Sequence, residues 1–151
     1  MAYRQIVKVG EPILRKKSRE VEEFGDKLAV LLDDMAETMY KADGCGLAAP
    51  QIGLLRRVIV CDYGKGLVEM VNPVILEASG KIGGQEGCLS VPGKRGYVER
   101  YETLRVEWRT RKGDKKVKNF KGFEAVVLQH EIDHLDGILY IDKAISEEEE
   151  G

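Results

Sequence analysis

The sequence has few cysteines, no long apolar run and little net charge, and each of these features argues against a class of protein. No apolar run approaches the length of a membrane span, and residues 1–8 lack the apolar core of a signal peptide. Cys45, Cys61 and Cys88 have no regular spacing, which argues against a disulfide framework and favours a reducing cytoplasm. A net charge of −2 gives no global attraction to nucleic acid or anionic lipid.

The length of 151 residues suits one domain, which would bury about two thirds of the surface that its unfolded chain exposes. A hydrophobic content of 43% and a charged content of 33% are ordinary for a globular protein with a charged surface. The sequence contains no repeat and no linker. We therefore expect a single domain over residues 1–151, ending in a self-repelling acidic tail over residues 146–151 that frays.

Apolar residues recur every three or four positions over residues 24–41, which predicts an amphipathic helix that Asp43 and Gly44 end. Apolar runs and alternation predict strands at 56–63, 67–76 and 98–110, and in a weaker return segment that ends near Phe120. Pro73 predicts an edge position or a bulge in the second of these strands. A second helical stripe begins near Phe123.

Both histidines of the chain lie in one H-E-x-x-H motif, formed by His130, Glu131 and His134. Residues four apart on an α-helix differ by roughly 40° in direction, so both imidazoles can bind one metal ion. Glu131 lies roughly 100° from His130, where it can reach a water on the metal rather than the metal itself. The alternative is a pair of structural histidines beside a surface glutamate. The metal site is favoured because the chain has no other histidine.

Two glycine-marked loops carry further candidates. In residues 44–53, three glycines allow close approach of a ligand backbone, and Gln51 offers an amide donor in an apolar loop. In residues 85–92, Cys88 lies between a glycine and a strand-like segment. Each loop also has a purely structural interpretation, as a tight helix-to-strand connection and as a bulged strand with a buried thiol.

Together the three segments resemble the peptide deformylase family, whose signature motifs are G-x-G-L-A-A-x-Q, E-G-C-L-S and Q-H-E-x-D-H. They stand complete here at residues 44–51, 86–90 and 129–134, in the family's order. The resemblance covers nearly the whole chain. It departs at the C-terminus, where many members carry a further helix and this chain stops soon after Asp142.

The resemblance implies an α+β fold in which antiparallel strands pack around a central helix bearing the H-E-x-x-H motif, with the early amphipathic helix outside. It implies a cytoplasmic hydrolase of the bacterial type, which removes the N-formyl group from the formylmethionine of newly made polypeptides and releases formate. Its partners would be nascent N-formylmethionyl peptides, met at the ribosome exit. Catalysis would need no nucleic acid and no membrane.

Carried over by position, the resemblance makes Cys88, His130 and His134 the three protein ligands of one divalent metal ion, with water at a fourth position. This set agrees with catalytic metal centres, which keep one position open. The family implies iron(II) in the cell, and the Cys-His-His set also suits zinc, nickel or cobalt.

The resemblance also assigns roles around the metal. Glu131 would act as general base and then acid, and the Gln51 amide and the Leu89 N–H would hold the oxyanion. The implied substrate-binding residues are Cys45, Phe123, Val126, Val127 and His130 around the methionine side chain, Gly46 and Gly87 through their backbones, and Arg95. Asp133 and Asp136 either support the ligands or are simply acids on the helix surface.

Two other classes share part of this pattern. A metalloprotease of the zincin type also has H-E-x-x-H, but it takes its third ligand from an element downstream, where little of this chain remains. A non-catalytic metal-binding or peptide-binding module would have no use for Glu131 or Gln51 beside the ligands. Both residues therefore favour the enzyme.

Overall fold

The computed structural model describes residues 3–149, which contain two α-helices, eight strands and three short 3-10 helices. Helix α1 covers Asp26–Lys41 and helix α2 covers Phe123–Leu135. The strands are β1 (Gly46–Ala48), β2 (Val58–Cys61), β3 (Val68–Ser79), β4 (Ile82–Cys88), β5 (Val91–Arg100), β6 (Thr103–Arg109), β7 (Lys115–Lys121) and β8 (Ser146–Glu149). The 3-10 helices cover Pro12–Arg15, Ala49–Ile52 and Tyr140–Asp142. None of the described helices is long and apolar enough to cross a membrane.

The strands form two antiparallel sheets, as expected for an α+β fold. The larger sheet has the order β1-β2-β3-β6-β7, and the smaller has the order β4-β5-β8. Strands β1 and β4 therefore each present one free edge. Strands β6 and β7 are joined by a hairpin turn. Strands β3 and β6 are neighbours in the larger sheet, although the β4–β5 pair of the smaller sheet lies between them in the sequence.

The core lies on both faces of the larger sheet. Val58 and Val60 pack with the apolar face of α1, whereas Ile59 and Cys61 pack with α2 on the opposite face. This two-sided burial explains why β2 is a continuous apolar run and does not alternate with polar residues. Helix α1 keeps a polar outer face, while α2 is buried along most of its length.

The strand expected over residues 98–110 is two strands, and that prediction is wrong at residues 101 and 102. Strand β5 ends at Arg100 in the smaller sheet, and β6 begins at Thr103 in the larger one. The Gln129 side chain holds the break, since it accepts from the Tyr101 N–H (3.0 Å) and donates to the Tyr101 carbonyl (2.8 Å). No glycine or proline marks residues 101 and 102, so the sequence pattern does not reveal the break.

Pro73 lies in a bulge of a central strand and not at an edge. Strand β3 pairs with β2 and β6, and its register with β6 shifts between Val71 and Val74. Asn72 adopts a positive φ of 51° within this bulge, and its side chain bonds to both the N–H and the carbonyl of Val21. The missing N–H of proline is therefore accommodated where the ladder is already interrupted.

Part of the acidic tail is a strand, and fraying of the tail stays a prediction. Ser146–Glu149 forms β8, which pairs with β5 and sets Glu148 opposite Arg95 and Glu149 opposite Lys94. Without β8, the backbone groups along this edge of β5 would be unpaired, which favours the addition of a strand. The remaining tail residues, 150 and 151, lie outside the described part of the chain.

Candidate metal centre and cleft

Helix α2 brings the two histidines together. It begins directly after Gly122, whose positive φ of 64° lets β7 turn into the helix. His130 and His134 are one turn apart and almost fully buried, with 8% and 1% of their surfaces exposed. Burial holds the pKa of His134 well below its usual range, so the ring is neutral, which is the form that binds metals.

Cys88, at the end of β4, completes a group of three donors. The ligand atoms of Cys88, His130 and His134 all lie within 4.8 Å of one another, and the Cys88 Sγ is 3.3 Å from the His134 Nε2. A tetrahedral ion with bonds of about 2.0–2.3 Å holds its donors at such separations. A thiolate and two imidazoles fit a borderline transition metal such as zinc or iron(II) better than a hard cation such as magnesium.

Glu86 and Arg100 form a hydrogen-bonded chain that ends at the His130 Nδ1. The sequence alone predicted no role for either residue. Glu86 Oε1 lies 2.9 Å from the His130 Nδ1, and Arg100 donates to both Glu86 oxygens at 2.6 and 2.8 Å. Both charged residues are buried, at 9% and 5% exposure. Burial acts to raise the pKa of Glu86, but the hydrogen bonds from His130 and Arg100 outweigh it and hold the pKa below its usual value.

The contact with Glu86 occupies the His130 Nδ1, which leaves Nε2 as the ring nitrogen available to a metal ion. Burial also acts to lower the pKa of His130, yet hydrogen bonds with Cys88 and Glu86 raise it well above the usual value. Metal binding at this site would therefore displace a proton. The sequence did contain one signal for Glu86, since this residue is the first of the E-G-C-L-S motif.

Asp133 and Asp136 have different surroundings, although both follow the motif closely. Asp133 accepts from Arg100 at 3.0 Å and pairs with Lys143 at 2.9 Å, so it joins the chain that reaches His130. Asp136 pairs with Arg57 at 2.9 Å at the exposed end of α2. Of the two, Asp133 has the contacts of a supporting residue.

Glu131 is buried beside the donors and has an unpaired carboxylate oxygen. Only 4% of its surface is exposed, and its Oε1 has no hydrogen-bond partner among the described residues. Gly46 packs directly against this carboxylate, so that an added Cβ there would collide with it. Burial raises the pKa of Glu131 to about 7. Such a group can exchange a proton near neutral pH.

Gln51 and Leu89 belong to two different loops and line the same cleft. The Gln51 Oε1 accepts from the Ala48 N–H at 2.9 Å, which ties the side chain to its own loop. Its Nε2 donates to the Ser90 Oγ at 3.1 Å and lies 3.6 Å from the Cys88 Sγ. The Gln51 amide is thus held next to the Cys88 thiol. Leu89 occupies the turn between β4 and β5.

A cleft of about 850 Å³ opens onto this group. Its lining includes every residue that the sequence predicted for substrate binding or proton transfer, namely Cys45, Gly46, Gln51, Gly87, Leu89, Arg95, Phe123, Val126, Val127, His130 and Glu131. The free edges of β1 and β4 both contribute to the lining. An extended peptide could add to such edges as a further strand.

Comparison with known proteins agrees with this geometry. The family model described as polypeptide deformylase matches residues 3–150. Peptide deformylase 1 of Clostridium acetobutylicum is 49% identical over 148 residues, covering 98% of this chain and 99% of that protein. A peptide deformylase of Acetivibrio thermocellus is 52% identical over 145 residues, covering 96% of this chain and 85% of that protein.

Solved structures give the same result for the fold. The crystal structure of peptide deformylase from Thermotoga maritima has a TM-score of 0.95 at 39% identity, covering 97% of this chain and 100% of that one. The peptide deformylase structure from Thermus thermophilus has a TM-score of 0.89 at 46% identity, covering 93% of this chain and 84% of that one.

Proposed function

Since the chain belongs to the peptide deformylase family of metal-dependent hydrolases, we propose that it removes the formyl group from the N-terminal formylmethionine of newly made polypeptides. The products are formate and a free methionine amine. The substrate would be met on nascent chains at the ribosome exit. The family membership supports deformylation itself, and the assignments of individual residues below are our proposal.

Cys88, His130 and His134 would hold the metal ion, with iron(II) as the ion in the cell. Their mutual spacing within 4.8 Å supports this assignment. When bound, the ion supplies a Lewis acid that polarises the formyl carbonyl and lowers the pKa of water. Glu86 keeps the His130 ring oriented through its hydrogen bond to Nδ1, and Arg100 keeps Glu86 charged.

Glu131 would serve as the proton carrier. Its carboxylate accepts a proton from the attacking water and then delivers it to the nitrogen of the leaving amine. The unpaired Oε1, the burial and the pKa of about 7 all support this role. A glutamate that only filled space would be expected to have both oxygens hydrogen-bonded at this depth.

The Gln51 amide and the Leu89 backbone N–H would stabilise the oxyanion that forms on the formyl oxygen. Gln51 is already anchored through Oε1, so its Nε2 needs no reorientation when charge develops. Ser90 holds the same Nε2 from the other side. Donors fixed in advance stabilise the transition state more than the substrate.

Substrate selection would follow from the cleft. A formyl carbon bears only hydrogen, so a tight site can accept it and exclude bulkier acyl groups. The methionine side chain would lie among Cys45, Phe123, Val126, Val127 and His130, all of which line the cleft. Backbone groups of Gly46 on β1 and Gly87 on β4 would pair with the peptide, with Arg95 near its continuation.

The observation that carries the proposal is the buried Glu131 carboxylate, with an oxygen that no described residue hydrogen-bonds, beside a Cys-His-His group in a cleft of about 850 Å³. Formate release from a formyl-methionyl peptide tests it, with the matching acetyl-methionyl peptide and an unformylated peptide as controls. We expect turnover of the formyl peptide alone. Cleavage of an internal bond in the unformylated peptide would instead indicate a protease and overturn the proposal.

A further inference from the structure

The two oxyanion donors of the proposed mechanism come from different sheets. Gln51 lies in the 3-10 helix Ala49–Ile52, between β1 and β2 of the larger sheet, and Leu89 lies in the turn between β4 and β5 of the smaller sheet. Among the described strands, none of one sheet pairs with a strand of the other. Two donors stabilise one oxyanion only if their separation is fixed before the charge develops. Contacts outside the sheets must therefore fix the positions of these two loops.

The hydrogen bonds that join the two loops directly depend on a single atom. In the described part of the chain they all come from the Gln51 Nε2, which donates to the Ser90 Oγ at 3.1 Å and to the Cys88 Sγ at 3.6 Å. The same Nε2 is the proposed donor to the oxyanion. A link made by the donor itself does not fix the two loops independently of that donor.

An earlier segment of the chain, residues 4–9, joins the two loops through their backbones. The Val7 N–H donates to the Gln51 carbonyl, and the Val9 N–H donates to the Ser90 carbonyl, each at 2.7 Å. These two bonds leave the Gln51 side chain and the Leu89 N–H unused. Segment 4–9 therefore connects the loops without engaging either oxyanion donor.

The chain is anchored on both sides of these two bonds. The Arg4 guanidinium pairs at 2.7 Å with the buried carboxylate of Asp34 on α1, and the Arg4 N–H donates to the Thr38 Oγ1 at 2.9 Å. Ile6 is buried in the core that contains α1, and Leu14, beyond the segment, is 1% exposed. Segment 4–9 is therefore a fixed part of the fold, to which two separate loops are attached.

We propose that segment 4–9 is a positioning element, which sets the distance between the Gln51 amide and the Leu89 N–H before the substrate binds. This inference rests on the proposed function, because it takes both groups as oxyanion donors. A misplacement of about 1 Å in a catalytic group can cost on the order of 100-fold in rate. Backbone bonds from one anchored segment to both loops would prevent such a displacement.

Peptide binding is the alternative role for segment 4–9. Three of its residues line the cleft, namely Gln5, Ile6 and Lys8. Val7 and Val9 are not part of that lining, and the Val9 side chain is 43% exposed. The N–H groups of Val7 and Val9 therefore test the connection to the loops and not a contact with the peptide.

The experiment removes one N–H group at a time and leaves every side chain in place. Cell-free translation would replace valine with its α-hydroxy acid analogue at residue 7 or at residue 9, so that an ester stands in place of the donating amide. Val21 is the matched control, because its N–H donates to the Asn72 Oδ1 at 2.8 Å and it does not line the cleft. The metal-loaded proteins are compared at equal metal content on a formyl-methionyl peptide.

The esters at Val7 and Val9 should each lower kcat about tenfold and leave KM little changed, because the donors act in the transition state. All three esters should lower Tm by similar amounts, since each removes one hydrogen bond of similar length. The ester at Val21 should keep the kcat of the intact protein. Equal falls of kcat in all three, or a raised KM with normal kcat in the first two, would overturn the proposal.

The Gln51→Leu background separates positioning from a general effect on the site. Once the amide donor is absent, its position no longer matters, so the ester at Val7 should lower kcat no further. The ester at Val9 acts through the Leu89 turn and should still lower kcat about tenfold in that background. A further tenfold loss from the ester at Val7 would overturn the proposal. Val7 and Val9 test it separately, so failure of one ester variant to fold leaves the other measurement.

Failure of the proposed function would give a different result. An intact protein that releases no formate, or a normal kcat in Gln51→Leu alone, would refute the oxyanion site and this inference with it. Full activity of the intact protein and a low kcat in Gln51→Leu, together with normal kcat in the esters at Val7 and Val9, would refute the positioning role alone.

Discussion

Replacing Glu86 with leucine should be among the most damaging single changes outside the metal ligands. The substitution removes a carboxylate that neutralises Arg100 through two hydrogen bonds, at a place where both residues are almost fully buried. Removing one member of a buried pair leaves an uncompensated charge and typically costs about 3–5 kcal/mol. Arg100 keeps Asp133 at 3.0 Å, so we expect the lower end, about 3 kcal/mol.

The assay should use protein without metal, so that lost metal binding does not contribute to the measured stability. Urea unfolding should report the 3 kcal/mol loss, equivalent to a fall in Tm of about 6–12 °C for a chain of this size. Metal affinity, measured separately, should fall about 10- to 100-fold because the His130 ring loses its orienting partner. Glu86→Gln keeps an acceptor for His130 and should weaken metal binding less.

The double variant Glu86→Leu with Arg100→Met is the matched control. It removes both charges, so it should recover much of the stability lost by Glu86→Leu alone. It should not recover metal affinity, since His130 still lacks its acceptor. A loss below about 1 kcal/mol for Glu86→Leu, or a double variant less stable than the single one, would refute this account of the pair.

Three further predictions concern the cleft. Glu131→Ala should keep one metal ion per chain but lose at least about 100-fold in kcat, and near-normal turnover would remove Glu131 from the mechanism. Gln51→Leu should lower kcat by about 100- to 1000-fold with peptide affinity little changed, whereas a raised KM with normal kcat would contradict the oxyanion role. Gly46→Ala should displace the Glu131 side chain, so kcat should fall while metal content changes little; unchanged kcat would contradict the close contact between them.

The residues that could be predicted from sequence are those whose signal is local. The placing of His130 and His134 on one face follows from the periodicity of an α-helix. The burial of β2 follows from its continuous apolar run. Cys88 is different, because only the resemblance of three ordered motifs connected it with a helix that begins 35 residues later. No local pattern brings those segments together.

The parts that escaped prediction depend on contacts between distant residues. The break between β5 and β6 is held by the Gln129 side chain, which local alternation does not report. The pairing of Glu86 with Arg100 and His130 joins β4, β5 and α2. Strand β8 forms because β5 offers a free edge, whereas the composition of the tail alone favours fraying.

The most direct test of the metal centre is to measure metal content and formate release on the same anaerobically purified preparation. The intact protein should hold one transition-metal ion per chain, and formate release from a formyl-methionyl peptide should rise in proportion to metal occupancy. Cys88→Ser should bind the ion more weakly, because a hydroxyl is a poor ligand for such metals. Full formate release after complete chelation, or unchanged metal affinity in Cys88→Ser, would contradict the assignment of Cys88, His130 and His134 as the metal ligands.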